Sequence, residues 1–208
     1  MKVKLISYTP EPDAVCMRMA TLCRDSAPSM SILADVVDIN HVSILEHASF
    51  SFEVSEVSRS LTHQLIRHRI GMSYAQQSQR HVSLDGLDWY VVPPTIANNK
   101  EAIAVFHAMM ENDRQGYAEL LRLGIPKEDA RFVLPNSAHT KIGITGNGNS
   151  LRHFFSLRCC KRSQWEIQNL ANEMLRQVKL VAPIIFKSAG RQCTTCKEPC
   201  TFRRTEGC

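Results

Sequence analysis

The residues best suited to chemistry lie in one short part of the chain. It reads Gln64-Leu65-Ile66-Arg67-His68-Arg69 and, after a spacer, Gln76-Gln77-Ser78-Gln79-Arg80. Guanidinium groups bind phosphate through charge-assisted hydrogen bonds, while amide and hydroxyl side chains can hydrogen-bond a heterocycle. This mixture predicts a site for a ligand that carries both groups. The alternative is a solvated basic helix end, where cations stabilise the helix C-terminus without binding anything.

A second basic segment contains Arg152, Arg158 and Arg162. The residues before it, Asn147-Gly148-Asn149, form a tight turn, and the pattern from Leu151 onward predicts a helix that ends near Arg158. The first backbone N–H groups of a helix have no partner within the helix. We therefore expect the start of this helix to offer free N–H groups to an anion.

Four of the eight cysteines lie close together at the C-terminus. The pair Cys193 and Cys196 has the spacing of a zinc knuckle, and Cys200 and Cys208 could complete a set of four thiolate ligands. Because the segment has a single C-x-x-C pair, we favour a reduced, mobile tail over a metal site.

Length and composition exclude several classes of protein. The chain has 208 residues, of which 44% are hydrophobic and 22% charged, as in ordinary globular proteins. A net charge of +5 is too small for a nucleic-acid-binding tail. The chain also contains neither a membrane-spanning apolar run nor an apolar run near Met1 that resembles a signal peptide. We expect a cytoplasmic protein with reduced thiols and with neither nucleic acid nor membrane as partner.

Hydrophobic periodicity predicts an α+β fold, in which an antiparallel sheet packs with several long helices. Strands are expected at 3–8, 49–54, 78–83 and 141–145, and helices at 13–24, 57–69, 100–123, 126–134, 151–158 and 164–186. Ser55 or Ser58 is available to cap the second helix, which Gly71 would stop. The predicted organisation is one domain over 1–190 followed by a Cys-rich tail over 191–208.

Several blocks of the chain resemble the flavin-dependent thymidylate synthases, whose signature is Arg-His-Arg, a short spacer and Ser-x-Arg. The signature stands here as RHRIGMSYAQQSQR, with a spacer one residue longer than usual near Gly71. Three further blocks agree in order: HVSILEHASFSFEV at 41–54, EDARFVLP at 128–135 and NGNSLRHFFSLRCCKRSQWEIQNLA at 147–171. The resemblance covers roughly residues 40–187.

The resemblance implies an activity, its cofactors and an assembly. The reaction is the reductive methylation of deoxyuridine monophosphate (dUMP) to dTMP. The carbon comes from 5,10-methylenetetrahydrofolate and the hydride from FADH2, which NADPH regenerates. The implied fold is the α+β domain of this family, assembled as a homotetramer with sites shared between subunits.

The resemblance also assigns residues. Arg158 is the implied catalytic residue, which polarises the uracil ring. FAD contacts fall on Ser43, Arg67, His68, Arg69, Gln76, Asn147, Gly148, Asn149 and His153. Nucleotide contacts fall on Gln64, Leu65, Ile66, Arg67, Gln76, Gln77, Ser78, Gln79, Arg80, Arg131 and Arg158. Asn149 stands where the family often has Arg, and Gln76 where some members have Glu.

Two rival functions remain open at this stage. One is an RNA-binding module that uses the Arg-His-Arg segment together with a zinc-ribbon-like tail. Its weakness is that the aromatic residues are not interleaved with the basic ones as stacking platforms require. The other is a flavin-dependent methyltransferase acting on uridine in RNA, which would need a broad basic face. Bound flavin would exclude the first, and activity on the free nucleotide would exclude the second.

Overall fold

Four strands form one antiparallel sheet in the computed structural model, which describes residues 1–82 and 89–191. They are β1 (Lys2–Tyr8), β2 (Ser49–Ser58), β3 (Met72–Gln76) and β4 (His139–Asn147), in the spatial order β1-β2-β4-β3. The predicted α+β class is confirmed. All of the predicted Cys-rich tail except Arg191 lies outside the described residues, and so do its four candidate ligands.

Eight α-helices are described: α1 (Pro12–Arg24), α2 (Met30–Asp38), α3 (Arg59–Leu65), α4 (Pro94–Ala97), α5 (Lys100–Arg122), α6 (Lys127–Ala130), α7 (Gly148–Arg158) and α8 (Trp165–Val181). Short 3₁₀ helices cover Val42–His47 and Arg131–Val133. None of the described helices is long and apolar enough to cross a bilayer.

The chain divides into two compact units. Unit 1 comprises Met1–Val54, Gln64–Ala75 and the described residues from Gly143 onward, and unit 2 comprises Ser55–His63 and Gln76–Ile142. Both units contribute residues to β2 and β4, because the boundaries fall within these strands.

The core of unit 1 lies between strand residues and helices α7 and α8. Phe50, Phe52 and Val54 alternate along β2 and are fully buried, as their spacing predicts. Phe50 packs edge-to-face on Phe186, with ring centroids 5.2 Å apart, and Phe186 also meets Phe155 of α7. Burying this much aromatic surface fixes α7 against the sheet.

Unit 2 has a smaller apolar cluster beside the long helix α5. Trp89 and Met110 are buried with Ala138, and Tyr90 and Phe106 pack against them. Tyr90 forms an isolated antiparallel bridge with Ala138. This cluster anchors the start of β4, whose other end carries the Asn147-Gly148 turn into α7.

Several expected elements differ from the structure. The helix expected over 164–186 ends at Val181, and the one expected over 126–134 is α6 followed by a 3₁₀ helix. The helix expected over 57–69 is limited to Arg59–Leu65, because β2 continues through Ser58. The Ser58 hydroxyl accepts a hydrogen bond from Leu61 N at 3.0 Å and so caps the helix as expected. Arg67, His68 and Arg69 therefore follow the helix instead of belonging to it.

The strand expected over 78–83 is also wrong. The strand of this region is β3 at Met72–Gln76, and the chain then turns, with the amides of His81 and Val82 both donating to Ser78 O. β3 begins directly after Gly71, whose φ of 65° reverses the chain. Residues 83–88 lie outside the described part of the chain.

Candidate functional site

Within unit 1, the Arg-His-Arg segment is held by the tyrosine two residues into β3. The Tyr74 hydroxyl lies within hydrogen-bond distance of two carbonyl oxygens, Leu65 O at 3.0 Å and His68 O at 2.8 Å, which share its single proton. These carbonyls lie at and beyond the end of α3, where no helical N–H can reach them. Burial raises the pKa of Tyr74 to about 12, so it stays protonated as a donor. Arg67 and Arg69 remain exposed on either side of His68.

The His68 side chain contacts α7. Arg158 Nε donates to His68 Nε2 at 2.8 Å, and the imidazole packs edge-to-face on Phe154, with centroids 5.1 Å apart. Burial, the positive charge of Arg158 and the neighbouring His153 together lower the pKa of His68 to about 4. His68 is therefore neutral at physiological pH and can accept the Arg158 hydrogen bond.

The loop after Arg-His-Arg packs on the N-terminus of α7. Gly71 O accepts from Asn147 N at 3.2 Å, and a Cβ at Gly71 would overlap the Ser150 hydroxyl. The longer spacer is therefore accommodated by a glycine in left-handed conformation, pressed against the helix start.

The expectation that this helix start offers free N–H groups is wrong for three of its residues. Asn147 caps the helix by accepting Ser150 N at 2.8 Å, and Gly148 N donates to Ala48 O at 2.8 Å. Asn147 N is used by Gly71, as described above. The acceptor of Ser150 N is the local cap, whereas the acceptors of the other two amides, Ala48 O and Gly71 O, lie far away in the sequence.

A cavity of about 230 Å³ lies beside this helix start and is lined mainly by polar side chains: Asn40, Val42, Asn149, Arg152, His153, Ser156 and Ala189. Two of its residues are predicted FAD contacts, Asn149 and His153. Asn149 Nδ2 donates to Glu46 Oε1 at 2.9 Å. Arg152 Nη1 donates to Ile185 O at 2.6 Å, which fixes its guanidinium at the cavity wall. Ser43 is exposed on the 3₁₀ helix that also carries Glu46.

Within unit 2, further predicted contacts lie at the end of β3 and in the turn after it. Gln76 Nε2 donates to the hydroxyls of Thr62 and Thr140 at 3.1 and 3.2 Å, and Gln77 N donates to Lys141 O at 2.9 Å. The Ser78 hydroxyl accepts Arg80 N at 3.2 Å, which shapes the turn. The amide of Gln76 is thus held by two threonines and cannot rotate freely.

Three arginines of unit 2 are connected, two of them by hydrogen bonds to Glu128 and the third, Arg59, by the charge of Arg131. Arg80 Nε donates to Glu128 Oε2 at 2.7 Å, and Arg131 Nε donates to Glu128 O at 2.9 Å. Arg59 Nη1 is buried without a hydrogen-bond partner among the described residues, and so is Gln79 Nε2. Burial lowers the pKa of Arg59, and the positive charge of Arg131 lowers it further. Two neighbouring guanidiniums with an unsatisfied buried N–H have the chemistry to bind an anion.

Sequence comparisons agree with the signature. The family described as "Thymidylate synthase complementing protein" (Thy1) matches residues 4–184. The chain belongs to this family. It is 46% identical to the flavin-dependent thymidylate synthase of Geobacter sulfurreducens, over 94% of this chain and 89% of the relative. Identity is 42% to the Clostridium tetani enzyme, over 93% and 88% of the two chains, and 38% to that of Pyrococcus horikoshii, over 93% and 87%.

Two residues of this Thy1 family member contribute to the site geometry without having been predicted from the sequence. Tyr74 holds the Arg-His-Arg backbone, and Arg59 lies beside Arg131. Glu46, which from its place near Ser43 could shape the flavin pocket or be an ordinary ion-pair partner, accepts a hydrogen bond from Asn149. Arg59 has a usable signal, since it follows Ser58, the predicted cap, and stands near the start of the signature. Tyr74 becomes recognisable only through its distant partners.

Among the described residues, no group of three or more His, Cys, Asp or Glu side chains is placed to hold a metal ion. The four cysteines of the tail are not part of that statement, because they lie outside the described ranges.

Proposed function

We propose that this chain is a flavin-dependent thymidylate synthase, which converts dUMP to dTMP with 5,10-methylenetetrahydrofolate as carbon donor, FAD as flavin and NADPH as reductant. The observation that carries the proposal is the pair Arg59 and Arg131, in a chain of the Thy1 family. A buried, unpartnered guanidinium nitrogen beside a second cation can bind an anion, and dUMP supplies one in its phosphate.

We place the nucleotide phosphate among the arginines of unit 2. Arg131 and Arg80 are nucleotide contacts that the family resemblance implies, and Arg59 adds a third guanidinium. The unpartnered amide of Gln79 is a further donor for the ligand. The full proposed nucleotide set is Gln64, Leu65, Ile66, Arg67, Gln76, Gln77, Ser78, Gln79, Arg80, Arg131 and Arg158, with Arg59 added.

The flavin is proposed to contact Ser43, Arg67, His68, Arg69, Gln76, Asn147, Gly148, Asn149 and His153. The cavity beside α7 supports part of this assignment, because its lining of amide, guanidinium, imidazole and hydroxyl groups suits a polar or anionic portion of a dinucleotide. When bound, the reduced flavin supplies the hydride that completes the methyl group.

The contribution of the protein is mainly electrostatic. We assign Arg158 to the carbonyl and ring nitrogen of the uracil, where a planar guanidinium favours the ionised, electron-rich base that attacks an electrophilic carbon. A guanidinium remains charged when water is excluded, so Arg158 retains this effect in a closed site.

We further propose a homotetramer with sites shared between subunits. The cavity of about 230 Å³ is smaller than the roughly 300–1,000 Å³ typical of ligand sites, so it can hold only part of FAD. A neighbouring subunit can supply the rest, as closed symmetric oligomers commonly do. In this arrangement Arg67 and Arg80 of different chains reach one nucleotide. We place the assembly in the cytoplasm, alongside nucleotide synthesis.

Tritium release from C5-labelled dUMP tests the activity. We expect release that depends on folate and on NADPH, from a purified protein with a flavin absorption spectrum. A colourless protein that binds RNA would support the RNA-binding module instead. A flavoprotein inactive on free dUMP but active on RNA uridine would support the RNA methyltransferase.

Subunit complementation tests the shared site. Arg80→Ala and Arg158→Ala subunits, each inactive alone, are mixed under conditions that exchange subunits. Restored activity is expected if the two residues of one site come from different chains. Residues drawn from a single chain would give no recovery, and a fully active monomer by light scattering would discard the tetramer.

A further inference from the structure

We infer that His68 acts as a positioning residue, whose imidazole holds the guanidinium of Arg158 in the plane needed by the substrate. This inference rests on the proposed role of Arg158 in dTMP synthesis. Its basis is the 2.8 Å hydrogen bond from Arg158 Nε to His68 Nε2, which joins residues 90 positions apart within unit 1. His68 is also one of the proposed flavin contacts, so the test must separate the two roles.

The direction of this hydrogen bond follows from the chemistry of the two groups. A guanidinium has five N–H donors and no acceptor, so the imidazole must supply the lone pair. His68 is then neutral, with its proton on Nδ1. Burial, Arg158 and His153 all favour the neutral form, and they lower the pKa of His68 to about 4.

The position of the imidazole is constrained both by packing of its ring and by hydrogen bonds of the His68 backbone. Its ring packs edge-to-face on Phe154, with planes at 89°, and Phe154 is fully buried in the core of unit 1. The backbone of His68 is fixed by the Tyr74 hydroxyl and by its own N–H, which donates to Leu65 O at 3.1 Å. A rigid acceptor of this kind removes much of the rotamer freedom that a long arginine side chain otherwise keeps.

The choice of Nε as the bound atom determines which edge of Arg158 can meet a ligand. With Nε directed at His68, the edge formed by Nη1 and Nη2 remains for a two-point contact with a carbonyl and a ring nitrogen. Without His68, the guanidinium could rotate about its final side-chain bonds and present this edge in many orientations. His68 therefore contributes to the reaction through Arg158.

Three substitutions that differ in length and in hydrogen-bond acceptor separate positioning from flavin contact. His68→Gln can place an acceptor near the position of Nε2, His68→Asn is chemically similar but too short, and His68→Leu has no acceptor. We expect kcat to fall by tenfold or less in His68→Gln and by about 100-fold in the other two. Because His68 is also a proposed flavin contact, flavin absorbance per subunit is measured in parallel and kcat is expressed per bound flavin.

A double variant and a spectroscopic measurement complete the test. His68→Leu should add little to the loss caused by Arg158→Lys, because both remove the same oriented guanidinium. In ¹⁵N NMR, the Arg158 Nε–H signal should exchange slowly with solvent in the wild type and in His68→Gln, and rapidly in His68→Leu. This readout does not depend on turnover, and it remains informative if the wild type makes no dTMP and the proposed function fails.

The inference is overturned if His68→Leu loses flavin while the turnover per bound flavin stays at the wild-type level, since His68 would then be a flavin contact. It is also overturned if His68→Gln and His68→Leu are equally impaired, or if the Nε–H signal exchanges rapidly in the wild type. Should His68→Leu fail to fold by circular dichroism, the comparison of His68→Gln with His68→Asn decides the question.

Discussion

Replacing Gly148 with alanine should destabilise the chain at the point where the candidate site joins the core. An alanine Cβ at this position would lie 2.7 Å from Leu45 O, 3.3 Å from Ile185 Cγ2 and 3.4 Å from Leu45 Cβ. The nearest atom belongs to the backbone and cannot rotate away. The first turn of α7 must therefore shift, which stretches the 2.8 Å hydrogen bond from Gly148 N to Ala48 O.

The magnitude follows from two opposing effects. Overpacking of this kind costs about 1–3 kcal/mol, while alanine gains up to about 1 kcal/mol over glycine in a helix. We expect the free energy of unfolding to fall by about 1–2 kcal/mol. For a chain of this size the corresponding decrease in Tm is about 2–8 °C. Flavin content should fall as well, because Asn149 and His153 are carried on the same helix.

Gly116→Ala provides the matched control. Gly116 is exposed within α5, and no atom lies within 4 Å of an added Cβ. The same substitution should therefore stabilise the chain by about 0.5–1 kcal/mol, with unchanged flavin content. Urea unfolding followed by circular dichroism, at one protein concentration, measures both. If Gly148→Ala were as stable as Gly116→Ala, the contact between α7 and the Leu45 carbonyl would not be as tight as described.

Three other predictions concern charge. First, the free energy of unfolding should not depend on His68 protonation above about pH 6.5, but it should fall as the pH decreases from 6.5 to 4. In that range the unfolded chain binds a proton at His68, whereas the folded chain, in which the pKa is about 4, does not. The full pKa difference corresponds to about 3 kcal/mol of stability, and partial exposure of His68 reduces this to about 1–2 kcal/mol. Urea unfolding at pH 7.5 and 4.5 should show this loss of stability in the wild type and not in His68→Gln. Second, Arg158→Lys should lower kcat by about 100-fold or more with flavin still bound, because lysine lacks the planar fork. Turnover within about threefold, equal to about 0.7 kcal/mol of barrier, would show that Arg158 does not polarise the substrate. Third, calorimetry should find that Arg80→Ala weakens dUMP binding by about 10-fold to 100-fold, whereas Ser78→Ala weakens it by less than about tenfold. The reason is that the charge-assisted hydrogen bond of an arginine to phosphate is stronger than that of a serine hydroxyl. Unchanged affinity in Arg80→Ala would remove that residue from the phosphate site.

Much of the fold was predictable because the residues that become buried recur at regular spacing along the sequence. The alternation of Phe50, Phe52 and Val54 predicted β2, and the apolar spacing of α8 predicted the helix that covers the core. The cap at Ser58 was also readable, because its hydrogen bond to Leu61 spans one turn. Helix α2 was not predicted, although it buries three apolar residues, since it is only nine residues long.

The errors occurred where tertiary contacts outweighed local preference. The helix expected to continue to Arg69 ends at Leu65, and the Tyr74 hydroxyl takes the carbonyls of Leu65 and His68 beyond it. The α7 amides expected to be free are taken by Ala48 and Gly71, together with the Asn147 cap. In each case the competing partner comes from another element.

By itself, the sequence of this protein determined its family, its α+β class and the residue types of its candidate site. These properties depend on the order of motifs, on hydrophobic periodicity and on side-chain chemistry, all of which can be observed along the chain. Only the tertiary structure decided the partners: His68 with Arg158, Asn149 with Glu46, and Arg59 beside Arg131. Each pair is separated by 70 or more residues. Its formation depends on the path of the whole chain, and no local energy in the sequence distinguishes these partners from others of the same type.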